Sequence, residues 1–259
     1  QLRKLNETAG FFHVTIDVPT LSKADSGSQR QLSSMLNQLA EAREERLRLL
    51  RRMLPPAVAE RVASGELESL DEVPQATVVA VVVVGLGDLV REGADGANRE
   101  LVDDLHGELD ELGKRHGVER VKVVGDTYFG VCGLNHAYLD HAPRALAFAV
   151  AARDIVRRVA RSTGYPLDIT AGLDSGTVTV GLTGATRLVY DLWGDTVNNA
   201  HRLARFARPG QIVVSDTTAN RLPSDELADR AALDAEPGGV DMNAAWIVRP
   251  DSQATGSAP

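Results

Sequence analysis

Val118-Glu119-Arg120-Val121-Lys122-Val123-Val124-Gly125-Asp126-Thr127-Tyr128-Phe129-Gly130-Val131-Cys132 is the stretch on which the fold turns. Two β-rich runs, Val118–Val124 and Thr127–Cys132, flank Gly125-Asp126. Two such residues between strand formers predict a tight hairpin. Upstream, Ala76–Val84 is nearly all β-branched, which reads as a strand buried on both faces. Between that strand and the hairpin, Leu101, Leu105, Leu109 and Leu112 recur at helical spacing over Asn98–His116, which ends near Gly117. Downstream, Asp140–Thr163 reads as an Ala-rich helix with Asp140 as its N-cap. Leu167–Leu173 and Thr177–Leu182 follow as two strands separated by Asp174-Ser175-Gly176.

The order strand, helix, strand, strand, helix, strand is α+β and matches a ferredoxin-like βαββαβ core. Beyond it, Asp195–Ala207 is helical and can be capped by Asp195 or Thr196, with Asp191 in the preceding loop. Gln211–Ser215 is a strand and Ala245–Val248 a last one. The expected division is 1–31 linker, 32–70 helical arm, 71–250 α+β domain and 251–259 disordered tail. Within the arm, Leu32, Leu36 and Leu39, then Leu47, Leu50 and Leu54, make two short heptad stretches with a phase slip between them. That pattern predicts a coiled coil with a stutter; the alternative is an amphipathic helix packed on its own domain, but the narrow stripe and heavy flanking charge favour the two-stranded seam. Pro55 and Pro56 stop or kink the helix, and a short helix Ala57–Ala63 ends at Gly65.

Among 259 residues, 36 Asp and Glu outnumber 28 Lys and Arg, for a net charge of −8. An acidic chain is poorly made for general nucleic-acid binding, which needs a basic footprint. The single cysteine, Cys132, excludes an internal disulfide, and one Cys with six scattered His excludes a Cys-rich zinc site. The apolar run Ala76–Leu86 is short of the ~20 residues a membrane span needs. The first residue is Gln1 rather than Met, which leads us to expect a piece of a longer chain.

Chemistry concentrates in two places. Asp126, at the hairpin turn, presents a rigidly held carboxylate at a sheet edge, suited to a hard divalent cation, although a plain turn Asp looks the same. Lys122 interrupts an apolar strand, so it is either an edge residue or the partner of a buried polar group. The second place is the string Tyr190-Asp191-Leu192-Trp193-Gly194-Asp195-Thr196-Val197-Asn198-Asn199-Ala200-His201-Arg202. There Asn198 and Arg202 are four apart and share a helix face.

Four strings together resemble the class III nucleotidyl cyclases, the adenylate and guanylate cyclase catalytic domains. They are Val-Lys-Val-Val-Gly-Asp (121–126), Gly-Leu-Asp-Ser-Gly (172–176), Tyr-Asp-Leu-Trp-Gly-Asp-Thr-Val-Asn (190–198) and Pro-Gly-Gln-Ile-Val-Val-Ser (209–215), in the family's order and spacing. Met53–Arg61 resembles the segment that precedes those domains. The resemblance implies a head-to-tail dimer with sites at the interface, converting ATP to cyclic AMP and pyrophosphate with two Mg2+ or Mn2+ ions. It implies that Lys122 and Asp191 read adenine, since Lys donates to the ring N1 and Asp accepts from the 6-amino group. It further implies that Asp126 binds metal, Asn198 orients the ribose and Arg202 stabilises the pentavalent phosphate. The backbone at Val84, Gly85 and Leu86 would face the phosphates. Val14 to Glu41 resembles the second half of a HAMP linker. An arm of that kind implies a cytoplasmic domain, or the cytoplasmic part of a membrane-anchored receptor whose membrane helices lie upstream.

Two departures from the family pattern stand out. The first metal-binding Asp should lie three residues before Gly85, where this chain has Val82. The late lysine that contacts the triphosphate should fall near residues 237–241, and 235–241 contain no Lys or Arg. Losing a carboxylate that bridges two metals should remove several kcal/mol of transition-state stabilisation, on the order of 10²-fold in rate. Two expectations follow: a weak adenylate cyclase, or one active as a heterodimer with a complete cyclase, and alternatively an inactive cyclase-homology domain that regulates or dimerises. The six histidines show no ligand spacing.

Overall fold

The computed structural model describes residues 6–8, 11–13, 26–65, 70–92, 97–184, 189–231 and 245–249. The chain divides into two compact units, Gln1–Leu67 and Glu68–Pro259.

In the first unit, β1 (Asn6–Thr8) and β2 (Phe11–His13) form an antiparallel ladder, followed by α1 (Ser26–Arg51) and α2 (Pro56–Ser64). The helix α1 starts ahead of the expected Leu32 and absorbs Ser26–Ser28, which read as linker. No proline or β-branched residue between Ser26 and Leu32 opposes helix there. Leu32, Met35, Leu36 and Leu39 are exposed along it, whereas Leu47, Leu50 and Leu54 are half-buried. Near the second run α2 folds back, and Arg51 Nη2 donates to Glu60 Oε1 at 2.9 Å. Pro56 opens α2, where a missing N–H is harmless. Gly65 closes it in the left-handed region, φ 96°, bonding back to Arg61 O and Val62 O. Of the HAMP-like segment Val14 to Glu41, residues 14–25 lie outside the described residues and the rest falls in α1.

The second unit is built on one mixed sheet. Its strands are β3 (Leu70–Val84), β4 (Val118–Val124), β5 (Thr127–Cys132), β6 (Asp168–Thr183), β7 (Val189–Trp193), β8 (Ile212–Ser215), β9 (Leu227–Ala231) and β10 (Ala245–Val248). The order is β4-β5-β3-β6-β8-β10-β9, and β7 pairs with the far half of β6. Helices α3 (Leu86–Glu92), α4 (Ala97–His116), α5 (His141–Thr163), α6 (Asp195–Phe206) and α7 (Asp216–Ala219) complete it. The antiparallel neighbours β4-β5-β3-β6, linked through α4 and α5, are the expected βαββαβ core. Against one face of the sheet, Leu105, Leu109 and Leu112 of α4 join Leu146, Phe148 and Val156 of α5. They cover Val79, Val81 and Val83 of β3 and Ile169 of β6. Each such side chain contributes on the order of 1.5–3 kcal/mol by burial, which makes this cluster the main support of the unit.

Several sequence expectations change. Leu167–Leu173 and Thr177–Leu182 are one strand, β6, not two. Asp174 and Ser175 stay extended because buried hydrogen-bond partners satisfy them, so the turn that Asp-Ser-Gly favours elsewhere never forms. Asp140 stands at the N-cap position of α5 without capping it; its Oδ1 accepts from Arg144 Nε at 2.8 Å. The N-cap of α6 is Gly194, and Thr196 bonds Thr177 O instead. Asp191 lies within β7 rather than in a loop. β3 begins six residues before Ala76, with an irregularity in its pairing around Pro74, where the ladder loses a donor. The last expected residues, 251–259, lie outside the described ones. Among the described residues no helix is long and apolar enough to cross a membrane.

Candidate active site

Lys122 is on the edge strand β4 and Asp191 on β7, 69 residues further on. β7, paired with the far half of β6, comes against β4 and leaves Nζ 2.6 Å from Asp191 Oδ1. Lys122 is therefore both an edge residue and a partner for a carboxylate, the two alternatives the strand pattern allowed. Asp191 Oδ1 also accepts from Leu192 N at 2.7 Å, which aims the carboxylate. Both side chains remain about a quarter to a third exposed, so solvent screens the pair and it adds little to stability. What it retains is a donor and an acceptor side by side, reachable from outside.

Lys122 Nζ lies 5.5 Å from the centroid of the buried Phe129 ring. The His201 ring of α6 meets Phe129 edge-on at 5.4 Å. This aromatic link joins the Lys122–Asp191 pair to α6, and nothing in the sequence pattern marked it. Burial, and next the Arg205 guanidinium, hold His201 below its usual pKa. His201 is thus mostly neutral at pH 7 and packs as a ring.

Val82 lies at the end of β3, across from Thr127, the residue that follows Asp126. Val83 N donates to Asp126 O at 2.9 Å, and Thr127 Oγ1 donates to Asp126 Oδ1 at 3.1 Å. Val82 pairs with Thr127 on one side and Thr170 on the other. The position beside Asp126 thus carries an isopropyl group, which has no electron pair to offer a cation. Asp88 is exposed and paired with Arg91 on its own helix. Among the described residues no group of three or more His, Cys, Asp or Glu is arranged to hold a metal. One exposed carboxylate does not fit a two-metal centre, where each hard cation takes several oxygens.

At the same strand end, Val84 passes through Gly85 into Leu86, the first residue of α3. Gly85 has φ +87°, and a Cβ there would stand 2.8 Å from Pro166 O, so only glycine makes this turn. On α6, Asn198 is exposed and Arg202, one turn later, is half-buried. Residues 235–241, where a late lysine would fall, lie outside the described residues.

The seat of α6 was not legible beforehand. Thr196 Oγ1 donates to Thr177 O at 2.8 Å, and Asn199 Nδ2 donates to Asp174 Oδ2 at 3.0 Å. A Cβ on Gly172 would collide with the backbone of Ala200 and Ala204, so the helix lies directly on β6.

Comparison with known proteins bears on the family and the fold. The adenylate and guanylate cyclase catalytic domain matches residues 69–244. An adenylate cyclase of Mycobacterium tuberculosis is 33% identical over 194 residues, covering 74% of this chain and 44% of the relative. This chain thus spans less than half the length of that relative. The catalytic core of a rhodopsin-guanylyl cyclase with converted specificity, solved with ATPαS, is 30% identical with a TM-score of 0.64. That likeness covers 70% of this chain and 98% of that structure. The guanylate cyclase domain of RhGC from Catenaria anguillulae, solved with GTP, is 28% identical with a TM-score of 0.60, over 69% and 98%. The adenylyl cyclase CyaB from P. aeruginosa, 24% identical with a TM-score of 0.60 over 70% of this chain and 96% of that one, shares the fold. The topology, the four motif strings and these likenesses place the chain in the class III nucleotidyl cyclase family.

Proposed function

We propose that this chain supplies the base-reading and transition-state half of an adenylate cyclase site. The observation that carries this reading is the Lys122–Asp191 pair, held at 2.6 Å and open to solvent. Its donor suits the adenine N1 and its acceptor the 6-amino group, whereas guanine offers the reverse pattern. On α6, Asn198 orients the ribose. Arg202 neutralises the charge that builds on the α-phosphate as the ribose 3′-oxygen attacks, the bond to pyrophosphate breaks and the hydroxyl proton departs. The backbone of Val84, Gly85 and Leu86 lies on the phosphate side. Mg2+ or Mn2+ would activate the hydroxyl in the family, but Asp126 alone does not complete that centre here, and no step is assigned to a metal held by this chain.

In a head-to-tail dimer each site combines the metal half of one copy with the base-reading half of the other. A homodimer therefore carries Val82 in both sites and is slow. A heterodimer with a complete cyclase has one competent site, in which the partner brings both Asp residues. The exposed stripe Leu32, Met35, Leu36 and Leu39 suits a parallel pairing of the arm in either dimer. A regulatory cyclase-homology domain without turnover is the second reading, favoured by Val82 itself. The family's chemistry runs on a soluble nucleotide, so the domain belongs in the cytoplasm, alone or below a membrane anchor.

The test is complementation. A complete cyclase whose own adenine-reading Lys and Asp are replaced is mixed with this chain, and cyclic AMP is measured with Mn2+ and ATP. Activity above both separate proteins, lost on Arg202→Ala in this chain, supports the first reading. Silence in the mixture, together with no ATP binding to this chain, leaves the regulatory reading.

A further inference from the structure

A buried polar chain runs from α5 through β3, β6, α7 and β8 to Asp174, which meets α6 on the other face of the sheet. His141 Nδ1 and Thr77 Oγ1 are 2.6 Å apart, Thr77 and Ser175 Oγ 2.8 Å, and Ser175 and Thr218 Oγ1 2.9 Å. The chain continues through Ser215 to Asp174, and all six residues are buried. Asp174 is asymmetrically dressed. Its Oδ1 accepts from Ser175 N at 2.9 Å, Thr217 Oγ1 at 2.7 Å and Ser215 Oγ at 2.5 Å. Three donors from β6, β8 and α7 thus clamp one oxygen and leave Oδ2 aimed at a single partner, Asn199 Nδ2 of α6.

Asn199 follows Asn198 directly and precedes Arg202 by three residues, but faces the sheet rather than solvent. Gly172 lets α6 lie close on β6; Thr196 Oγ1, bonded to Thr177 O, fixes its first turn, and Asn199 supplies the side-chain tie to the sheet one residue after Asn198. A hydrogen bond to a fixed carboxylate is directional and resists roll. With side-chain tips about 5–6 Å from the helix axis, a roll of ~10° moves them by ~1 Å, and an error of that size can cost ~10²-fold in rate.

We propose that Asp174 is a positioning residue: through Asn199 it sets the rotation of α6 and so aims Asn198 and Arg202. The inference rests on the cyclase reading above and deepens it. Asp174 touches no substrate; it acts through Asn199. The Lys122–Asp191 pair lies on β4 and β7 and meets α6 through the Phe129–His201 ring contact, not through Asn199, so its hold on the base changes less than the aim of Asn198 and Arg202.

The experiment uses the full chain carrying Val82→Asp as parent, assayed for cyclic AMP with Mn2+ and ATP. Asn199→Asp sets a carboxylate against Asp174 and lowers kcat by roughly tenfold or more, while KM for ATP changes less than about twofold. Adding Asp174→Asn to that variant recreates the bond in reverse, with the new amide donating to the new carboxylate. The double variant returns to within about threefold of the parent, a difference under 1 kcal/mol. Loss without rescue, loss expressed in KM, or no loss in Asn199→Asp overturns the proposal. Hydrogen exchange over residues 195–206 is followed in the same variants on the Val82 chain. There α6 protection falls in Asn199→Asp and recovers in the double variant. If the parent shows no turnover, the cyclase reading has failed on its own, and unchanged α6 exchange in Asn199→Asp then overturns the anchoring separately.

Discussion

Replacing Val82 by Asp tests the weakest point of the site. Val82 pairs with Thr127, whose hydroxyl is 3.1 Å from Asp126 Oδ1, so a carboxylate at 82 would stand beside Asp126 at the strand end. Without metal the change is unfavourable. Val82 is only half-buried, so losing its apolar contact costs about 1 kcal/mol. Two like charges a few ångströms apart near solvent add about 1 kcal/mol more. A loss of ~2 kcal/mol in a unit of this size should lower Tm by about 4–8 °C. A cation held between the two carboxylates reverses the sign, since ligand at 100 times its Kd stabilises by about 2.7 kcal/mol. Thermal melts of the native chain and Val82→Asp, each with and without Mn2+, should show the variant lower alone and raised selectively by the ion. Cyclic AMP formation from Mn2+ and ATP should rise about 10²-fold in the variant, as several kcal/mol of transition-state stabilisation return. A variant that is destabilised yet indifferent to Mn2+ in both assays would falsify the assignment of Asp126 to a metal site. A native homodimer as fast as its own Val82→Asp variant would refute the view that Val82 limits it.

Three further outcomes follow from the geometry. Lys122→Ala should leave Tm within about 1 kcal/mol of stability, because the pair is screened, yet weaken ATP binding about tenfold by isothermal titration through loss of a charge-assisted hydrogen bond. Gly172→Ala forces a methyl into the backbone of α6 and should cost about 1–3 kcal/mol in urea unfolding, with an unchanged slope. His141 is buried, and that burial, then Arg221, lowers its pKa in the folded state. Its unfolded form binds the proton more readily, so stability present above about pH 6.5 is lost as pH falls below that value and through the folded pKa. Melts from pH 7.5 to 5 should decline, and His141→Asn should flatten the decline; equal slopes in both proteins would remove His141 from the account.

Much of the fold was legible because local signals agreed. The hairpin pair β4 and β5 was read residue for residue, since β-rich runs on both sides of Gly125-Asp126 leave little choice of register. Helix α4 was read to within one residue from its leucine spacing. The misread turns and caps share one cause. Asp174-Ser175-Gly176 has turn chemistry, yet Ser215, Thr217 and Asn199 satisfy Asp174 from distant parts of the chain. Likewise Asp140 and Thr196 can cap a helix, but Arg144 and the Thr177 carbonyl claim them instead. Polar side chains take the best partner available, and local sequence does not show partners that arrive through tertiary contacts.

The linear order of residues, by itself, carried the resemblance to the family, named the candidate site residues and put Val82 where the family pattern expects a metal-binding Asp. These depend on residue type and spacing, and an absent carboxylate is absent in any conformation. Only the tertiary structure decided which of those residues meet. It closed Lys122 on Asp191 across 69 residues, paired Val82 with Thr127 next to Asp126, and linked Phe129 to His201. It also revealed the buried chain that runs from His141 on α5 to Asn199 on α6. Strand pairing and long-range hydrogen bonds bring these groups together, and their strength depends on separations in space that the order of residues does not contain.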